Sequence, residues 1–432
     1  MALNQLNRKD INLFLLLILF IFGRVFMGLE IGPFRLGEIL MGLSFLYLCY
    51  EITKNILNIK NLLYFEKFLL IFLILVLIHF IYLLFNYGYA FFNLYPFKAS
   101  SYIWVLGSYF FGRNYLNHFT TGKSLILISI VLVVNYYTSI FGISESAQSA
   151  ILNFTDKFDY LKASDLVIFF LFFAYHFVNS KYFYDKKFNT LFLLFCFFYL
   201  PLIMHKSRGA SIAFILFTIF IAKSYVNNKY SLRFYFVSLF FIIITFITSS
   251  FIVSKSPIQL SEIDEKVIYV STGRYQKQVQ NTPQNTDDYP IFYFEDNRFF
   301  SSDGNINWRL QIWQDVIFDL MDKNKIFIGY GYNEKIPAMN EIYRSGNDGT
   351  NENVHNHLIN ILARGGLIHL FLFIVFYIVI LLNEKRKNNL YIISMIFIPA
   401  MLTSFFDASM ENAHYPLIFY FLLGNIAQDK DN

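Results

Sequence analysis

His355 is the residue best placed for chemistry. It stands in Asn353-Val354-His355-Asn356-His357-Leu358, where a polar stretch gives way to a long apolar run. A histidine at such a boundary can accept a proton near neutral pH; the same position also suits one that only caps a helix or bonds a lipid headgroup. A second feature is the basic cluster His205-Lys206-Ser207-Arg208-Gly209, wedged between two apolar runs. Charges there either snorkel from a helix end or dock an anionic ligand. The third is Arg309, within Trp308-Arg309-Leu310-Gln311-Ile312-Trp313. Ile312, Trp313, Val316, Ile317 and Leu320 recur at helical spacing while Asp315, Asp319 and Asp322 face elsewhere, which predicts an amphipathic helix near 308–321. Asn307 is its expected cap, putting Arg309 in the first turn, where positive charge opposes the helix dipole unless an anion sits nearby. Ile328-Gly329-Tyr330-Gly331-Tyr332 follows as a tight turn, and the apolar run after His355 is interrupted at Ala363-Arg364-Gly365-Gly366.

The rest of the chain must position these residues, and its composition says in what solvent. Of 432 residues 56% are hydrophobic and 15% charged, with mean hydropathy +0.46, too apolar for a soluble domain. Runs long enough to cross a bilayer lie near 11–28, 34–52, 66–86, 93–112, 123–143, 164–182, 190–206, 209–227, 232–254, 357–383, 389–406 and 412–427. The expected fold is therefore an all-α integral membrane protein of about twelve spans. Residues 1–254 carry spans one to nine, 255–355 form a large loop or lid, and 356–432 carry the last three. The Gln-, Asn- and Thr-rich part of the loop, Ser271 to Pro290, reads as irregular. The first run follows Arg8 and Lys9 with no small-residue cleavage site and reads as a retained signal anchor.

Alternate short loops are rich in Lys and Arg, from Lys54 and Lys60 to Lys385, Arg386 and Lys387. That bias places both termini in the cytoplasm and the 255–355 loop outside. The net charge of +5 is scattered through these loops and forms no nucleic-acid-binding patch. Cys49 and Cys196 both fall in apolar runs, which argues against a disulfide or a zinc site.

Taken in order, Ser207-Arg208-Gly209, Arg309 in its Trp-flanked segment, Gly329-Tyr330-Gly331, and His355-Asn356 followed by nine residues and Gly366 resemble the O-antigen ligase and polymerase family. The resemblance implies a fold of the GT-C type. It also implies a glycosyltransferase at the periplasmic face of the bacterial inner membrane, with an undecaprenyl-pyrophosphate-linked glycan as donor. The acceptor would be lipid A-core, as in a ligase, or the growing glycan, as in a polymerase; a protein hydroxyl is a third option. Carried over by residue, His355 is catalytic and Arg208 and Arg309 hold the donor pyrophosphate. Ser207, Asn356 and Gly366 support them, with no cofactor and no metal. Two positions depart from the pattern: His369 stands where a small residue is common, and Arg364 carries no shared role. The chemistry is coherent, because guanidinium groups can neutralise a pyrophosphate leaving group while a histidine takes the acceptor proton.

Two other readings compete. A metal site could use His355, His357 and His414, but residues two apart on a helix point in different directions. Asp287-Asp288 resembles the acidic pair of soluble sugar-nucleotide transferases but has no nucleotide-binding pattern around it. A transporter or flippase of lipid-linked glycan would fit twelve spans, yet it should show related halves and charges near midplane. Here the suspicious charges, to which Arg24, Arg35 and Lys98 could add positive field, gather at one face.

Overall fold

A chain segment in lipid must satisfy its backbone N–H and C=O groups internally, and for the apolar runs here the helix does so. The computed structural model of the protein follows that constraint. It describes residues 8–62, 64–86, 95–114, 118–155, 160–227, 232–256, 292–295, 297–340, 352–386 and 390–427. The irregular stretch expected at 271–290, with Asp287 and Asp288, lies outside them. Sheet among the described residues is limited to two antiparallel hairpins, Glu30–Ile31 with Phe34–Arg35 and Phe292–Glu295 with Arg298–Ser301. Six of the described helices are long and apolar enough to cross a membrane: Leu36–Leu57, Tyr64–Asn86, Gly122–Phe141, Lys186–Lys206, Arg233–Ser254 and His357–Asn383. Shorter apolar helices include Ala163–Val178 and Tyr391–Phe405. The chain is thus an all-α, multi-pass membrane protein.

Not every expected span is a continuous helix: 11–28 is divided at Gly23, between Arg8–Phe22 and Arg24–Met27. The run 93–112 breaks into Tyr95–Ala99, Ser101–Trp104 and Gly107–Asn114. The Pro96 carbonyl accepts from both the Ser100 N–H and the Ser100 hydroxyl, so a side chain shares the last backbone bond of the first piece.

The chain divides into two compact units. The first comprises 1–62, 101–258 and 379–432. Its centre is the helix Ala163–Val178, buried on every face, as a helix apolar all round must be. Phe170 sits there among Phe192, Phe195, Tyr199, Phe214 and Phe217 at 5.1–6.1 Å between ring centroids, which is where much of the phenylalanine content is used. Glycines allow the closest backbone approaches. A Cβ at Gly424 would lie 1.9 Å from the Tyr109 carbonyl oxygen, and one at Gly112 would lie 2.1 Å from that of Phe421. The helices Gly107–Asn114 and His414–Ala427 therefore touch through small residues, as packing between helices in lipid favours. Polar groups close one end of this unit: Asp165 Oδ1 with His414 Nε2 at 2.7 Å, Ser164 Oγ donating to Asp407 at 2.5 Å, and Arg24 donating to Asn412 Oδ1 at 2.9 Å. Arg24 thereby has a structural use.

The second unit comprises 63–100 and 259–378. Phe72 on the helix Tyr64–Asn86 stacks on Phe376 at 5.2 Å and meets Phe373 edge-on at 6.4 Å. The amphipathic helix is present and longer than expected, Gly304–Asp322. Ile312, Val316 and Leu320 are fully buried with Ile336, Met339, Val354 and Ala363, while Trp313 and Ile317 pack against that core, as the periodicity requires. Its cap differs from expectation. Asp303, not Asn307, accepts the Ile306 N–H, at 3.0 Å. Asn307 lies a turn inside and accepts from Ser301 N and Gln311 Nε2, so Arg309 falls in the second turn.

Two helical glycines set a contrast. Gly424→Ala puts a methyl into the Tyr109 carbonyl and should destabilise the first unit by about 1–3 kcal/mol, as overpacking does. Gly42→Ala meets nothing within 4 Å and should be neutral or stabilise by up to about 1 kcal/mol. Thermal unfolding in detergent checks the pair; equal midpoints would contradict the close packing.

Candidate functional site

The second unit builds the surroundings of His355 from three pieces. Val354 is fully buried, and its carbonyl accepts the Trp313 indole N–H at 2.7 Å. Asn356 caps the next helix by accepting the Ile359 N–H through Oδ1 at 3.1 Å. His355 is caught between this buried anchor and this cap, half-buried, with its backbone in the left-handed region at φ 53°. A histidine there carries about 1–3 kcal/mol of backbone strain, which the flanking bonds must hold. Its ring meets Trp308 edge-on at 5.1 Å, so the helix that carries Arg309 also contacts the imidazole. Arg309 itself is half-buried. The helix from His357 starts immediately after the cap and directs its positive end toward this corner.

A second construction holds those pieces together. The helix His357–Arg386 is broken at Gly366, where φ is 64° and ψ is −167°. Four backbone groups at the break find partners in the loop Ile326–Gly331. Tyr330 N donates to Ala363 O at 2.7 Å, Gly331 N to Arg364 O at 2.8 Å, Leu367 N to Ile326 O at 2.9 Å and Ile368 N to Phe327 O at 3.3 Å. No side chain fits between the strands of this stitch. A Cβ at Gly366 would lie 2.2 Å from Phe327 O, and one at Gly329 would lie 2.5 Å from Arg364 O. Gly329 and Gly331 also have φ 73° and 78°, which L side chains rarely adopt. The Gly-Tyr-Gly turn and Gly366, far apart in sequence, are two halves of one joint.

Tyr330 sits in that joint with its ring 5.7 Å from the Lys323 ammonium and 5.6 Å from that of Lys325. Burial, then the carboxylates of Asp319 and Asp322, push its phenol above the ordinary tyrosine range. It is therefore protonated at neutral pH and is no candidate base.

Ser207 and Arg208 belong to the first unit. Ser207 ends the helix Lys186–Lys206 and starts Arg208–Asn227, its Oγ accepting the Ala210 N–H at 3.3 Å. Arg208 is thus the first residue of its helix and is exposed there, with the adjoining Gly209 packed on the Phe406 ring. A cation at the positive end of a helix is unfavourable by itself and suits an anion. Lys206 donates to the Leu161 carbonyl at 3.0 Å, so part of the basic cluster is tied to the fold.

Three polar residues have uses that sequence reasoning did not assign. Arg364 is among the largest fully buried side chains; it donates to the carbonyls of Gly331 and Glu334 and, at 2.7 Å, to the Tyr95 hydroxyl. His369 is buried, with Nδ1 2.9 Å from Tyr332 Oη and its ring 4.4 Å from that of His79. His357 is buried with Nε2 3.2 Å from Tyr377 Oη, so its ring serves the helix interior. An arginine and two histidines inside an apolar run were the available signal. Their partners lie tens to hundreds of residues away.

Residues 191–374 match the family described as O-antigen ligase, and the match spans Arg208, Arg309, the Gly-Tyr-Gly turn, His355, Asn356 and Gly366. It bears out the resemblance to the O-antigen ligase and polymerase family. No curated protein matches the chain.

The left-handed backbone at 355 makes a stability prediction independent of activity. His355→Asn, a residue tolerant of that region, should unfold within about 1 kcal/mol of the parent. His355→Val should lose roughly 2 kcal/mol or more, because a β-branched residue is strained there. Indistinguishable thermal midpoints for the two would contradict the assigned backbone.

Proposed function

We propose that the chain is a glycosyltransferase of the O-antigen ligase type. It acts at the periplasmic face of the bacterial inner membrane, with about twelve spans and both termini in the cytoplasm. Its donor is an undecaprenyl-pyrophosphate-linked glycan and its acceptor a hydroxyl of lipid A-core. The observation that carries this reading is the strained, half-buried His355 at a helix start, in ring contact with the Trp308 beside Arg309. The family match over the same residues supports it.

In this mechanism His355 takes the proton of the acceptor hydroxyl as its oxygen bonds to the anomeric carbon of the donor sugar. The bond from that carbon to the pyrophosphate oxygen breaks, and the carrier pyrophosphate leaves with the electron pair. Arg208 and Arg309 bind the pyrophosphate and offset its growing negative charge. Ser207 holds Arg208 through the helix start, and Asn356 and Gly366 hold His355 in the same sense. No metal or cofactor enters this scheme.

His355→Ala should lower transfer by about 10²–10⁴-fold while the protein still inserts, the range for loss of a general base. Arg208→Ala and Arg309→Ala should chiefly raise the KM for donor. Purified protein with a lipid-linked donor gives both results; wild-type transfer by His355→Ala would overturn the base, and an unchanged donor KM in both arginine variants would overturn the clamp. The glycan phenotype of a deletion strain sorts the acceptors. Unlinked polymer on its carrier identifies a ligase, single repeats on the lipid a polymerase, and carrier-linked glycan held on the inner leaflet a flippase.

A further inference from the structure

The hairpin Phe292–Ser301 exposes apolar rings that the transfer chemistry does not use. Strand alternation puts Tyr293 and Phe300 on one face, stacked at 5.4 Å, with Phe300 buried. The opposite face carries Phe292, Phe294 and Phe299, which are 57%, 59% and 57% exposed, and Phe294 and Phe299 meet each other at 5.0 Å. Exposing three large rings side by side in water is unfavourable, by about 25 cal/mol per Å² of apolar surface.

The exposure is enforced by the fold. Gln314 clamps Phe299 with both ends of its amide, accepting from the backbone N at 2.8 Å and donating to the carbonyl at 2.9 Å. Arg298 pairs with Asp315 at 2.6 Å and donates to Gln311 at 3.2 Å, while Gln311 donates to Phe299 O at 2.9 Å. The hairpin is fastened to the helix Gly304–Asp322 with its rings held outward.

The same bonds argue for the occupant. A sugar-binding platform needs polar groups beside the rings to bond hydroxyls, and here Arg298, Gln311, Gln314 and Asp315 are engaged in holding the hairpin. Phenylalanine, without a polar tip, suits the acyl boundary of a bilayer. The apolar surface also continues from the lipid-facing side of a span. After the break at Gly366, the stretch Leu367–Arg386 is about 30 Å long by itself, enough for the hydrocarbon core. Leu367, Ile368 and Phe371 lie exposed at its start. Ile368 N bonds the carbonyl of Phe327, whose ring is 64% exposed, and Phe327 follows exposed Phe318 and Met321 on the helix that bears the hairpin.

We propose that the Phe292–Ser301 hairpin is a lipid-inserting element, its Phe292, Phe294 and Phe299 rings seated in the interfacial layer of the bilayer on the His355 side. This goes beyond the glycosyl-transfer reading and stands on the membrane-protein fold alone. A lid anchored this way keeps the Arg309 helix at the depth where a lipid-linked substrate presents its headgroup.

Spin labels on the full chain in liposomes test it. Phe294→Cys and, separately, Phe292→Cys are labelled in a Cys49→Ser, Cys196→Ser background, with Phe371→Cys as a lipid-facing reference and Asp322→Cys as an aqueous one. The expected ratio of oxygen to nickel-chelate collision at 292 and 294 is several-fold above that at 322 and approaches that at 371. Ratios at 292 and 294 equal to that at 322 would overturn the proposal. So would a nickel accessibility that falls only when purified lipid A-core glycan is added, which would make the rings a sugar platform.

Discussion

Four backbone hydrogen bonds across the break at Gly366 are what the second unit depends on. A helix that breaks at the edge of a membrane exposes N–H and C=O groups that water reaches poorly, and each one left unbonded costs several kcal/mol. The loop Ile326–Gly331 supplies all four partners, and it can do so because Gly329 and Gly366 leave no side chain in the way. The loop is also the direct continuation of the Arg309 helix, and the broken helix is the direct continuation of His355. One joint therefore ties together the segments that bear two of the proposed functional side chains. Arg364, donating from beside the joint to the carbonyls of Gly331 and Glu334, holds the same loop from below.

With that joint in place, the strain at His355 has a physical account. The left-handed backbone persists because Val354 is locked in the core by Trp313 and Asn356 is committed to the helix cap. A relaxed backbone at 355 would have to release one of them. The result is an imidazole held at a helix start with its ring against Trp308, a prearranged group of the kind that acid–base transfer uses.

Much of this was legible in the sequence because it rests on local periodicity. The apolar face of the 304–322 helix follows from the spacing of Ile312, Val316 and Leu320, and the family resemblance follows from four short motifs in order. Long-range pairing was not legible. Gly329 read as part of a tight turn and Gly366 as part of an interruption in an apolar run, and only the fold shows that they face each other. Asn307 and Asp303 are both good caps, and the choice between them was decided by Ser301 and Gln311 taking up the Asn307 side chain. The run 93–112 was apolar enough to suggest one span, yet it breaks after Ala99 and again before Gly107, whose missing side chain lets the Ser44 carbonyl come close. Arg364 and His369 looked like departures from a pattern and proved to be buried partners of Tyr95 and Tyr332.

In the proposed mechanism the joint at Gly366 holds His355 and the Arg309 helix in a productive arrangement. The most direct measurement is the single-turnover rate of glycan transfer by Gly366→Ala protein in proteoliposomes, taken on the folded, monodisperse fraction. A loss of at least about 100-fold is expected, since misplacing reacting groups by an ångström costs that much. Transfer at the parent rate by a folded Gly366→Ala protein would contradict it.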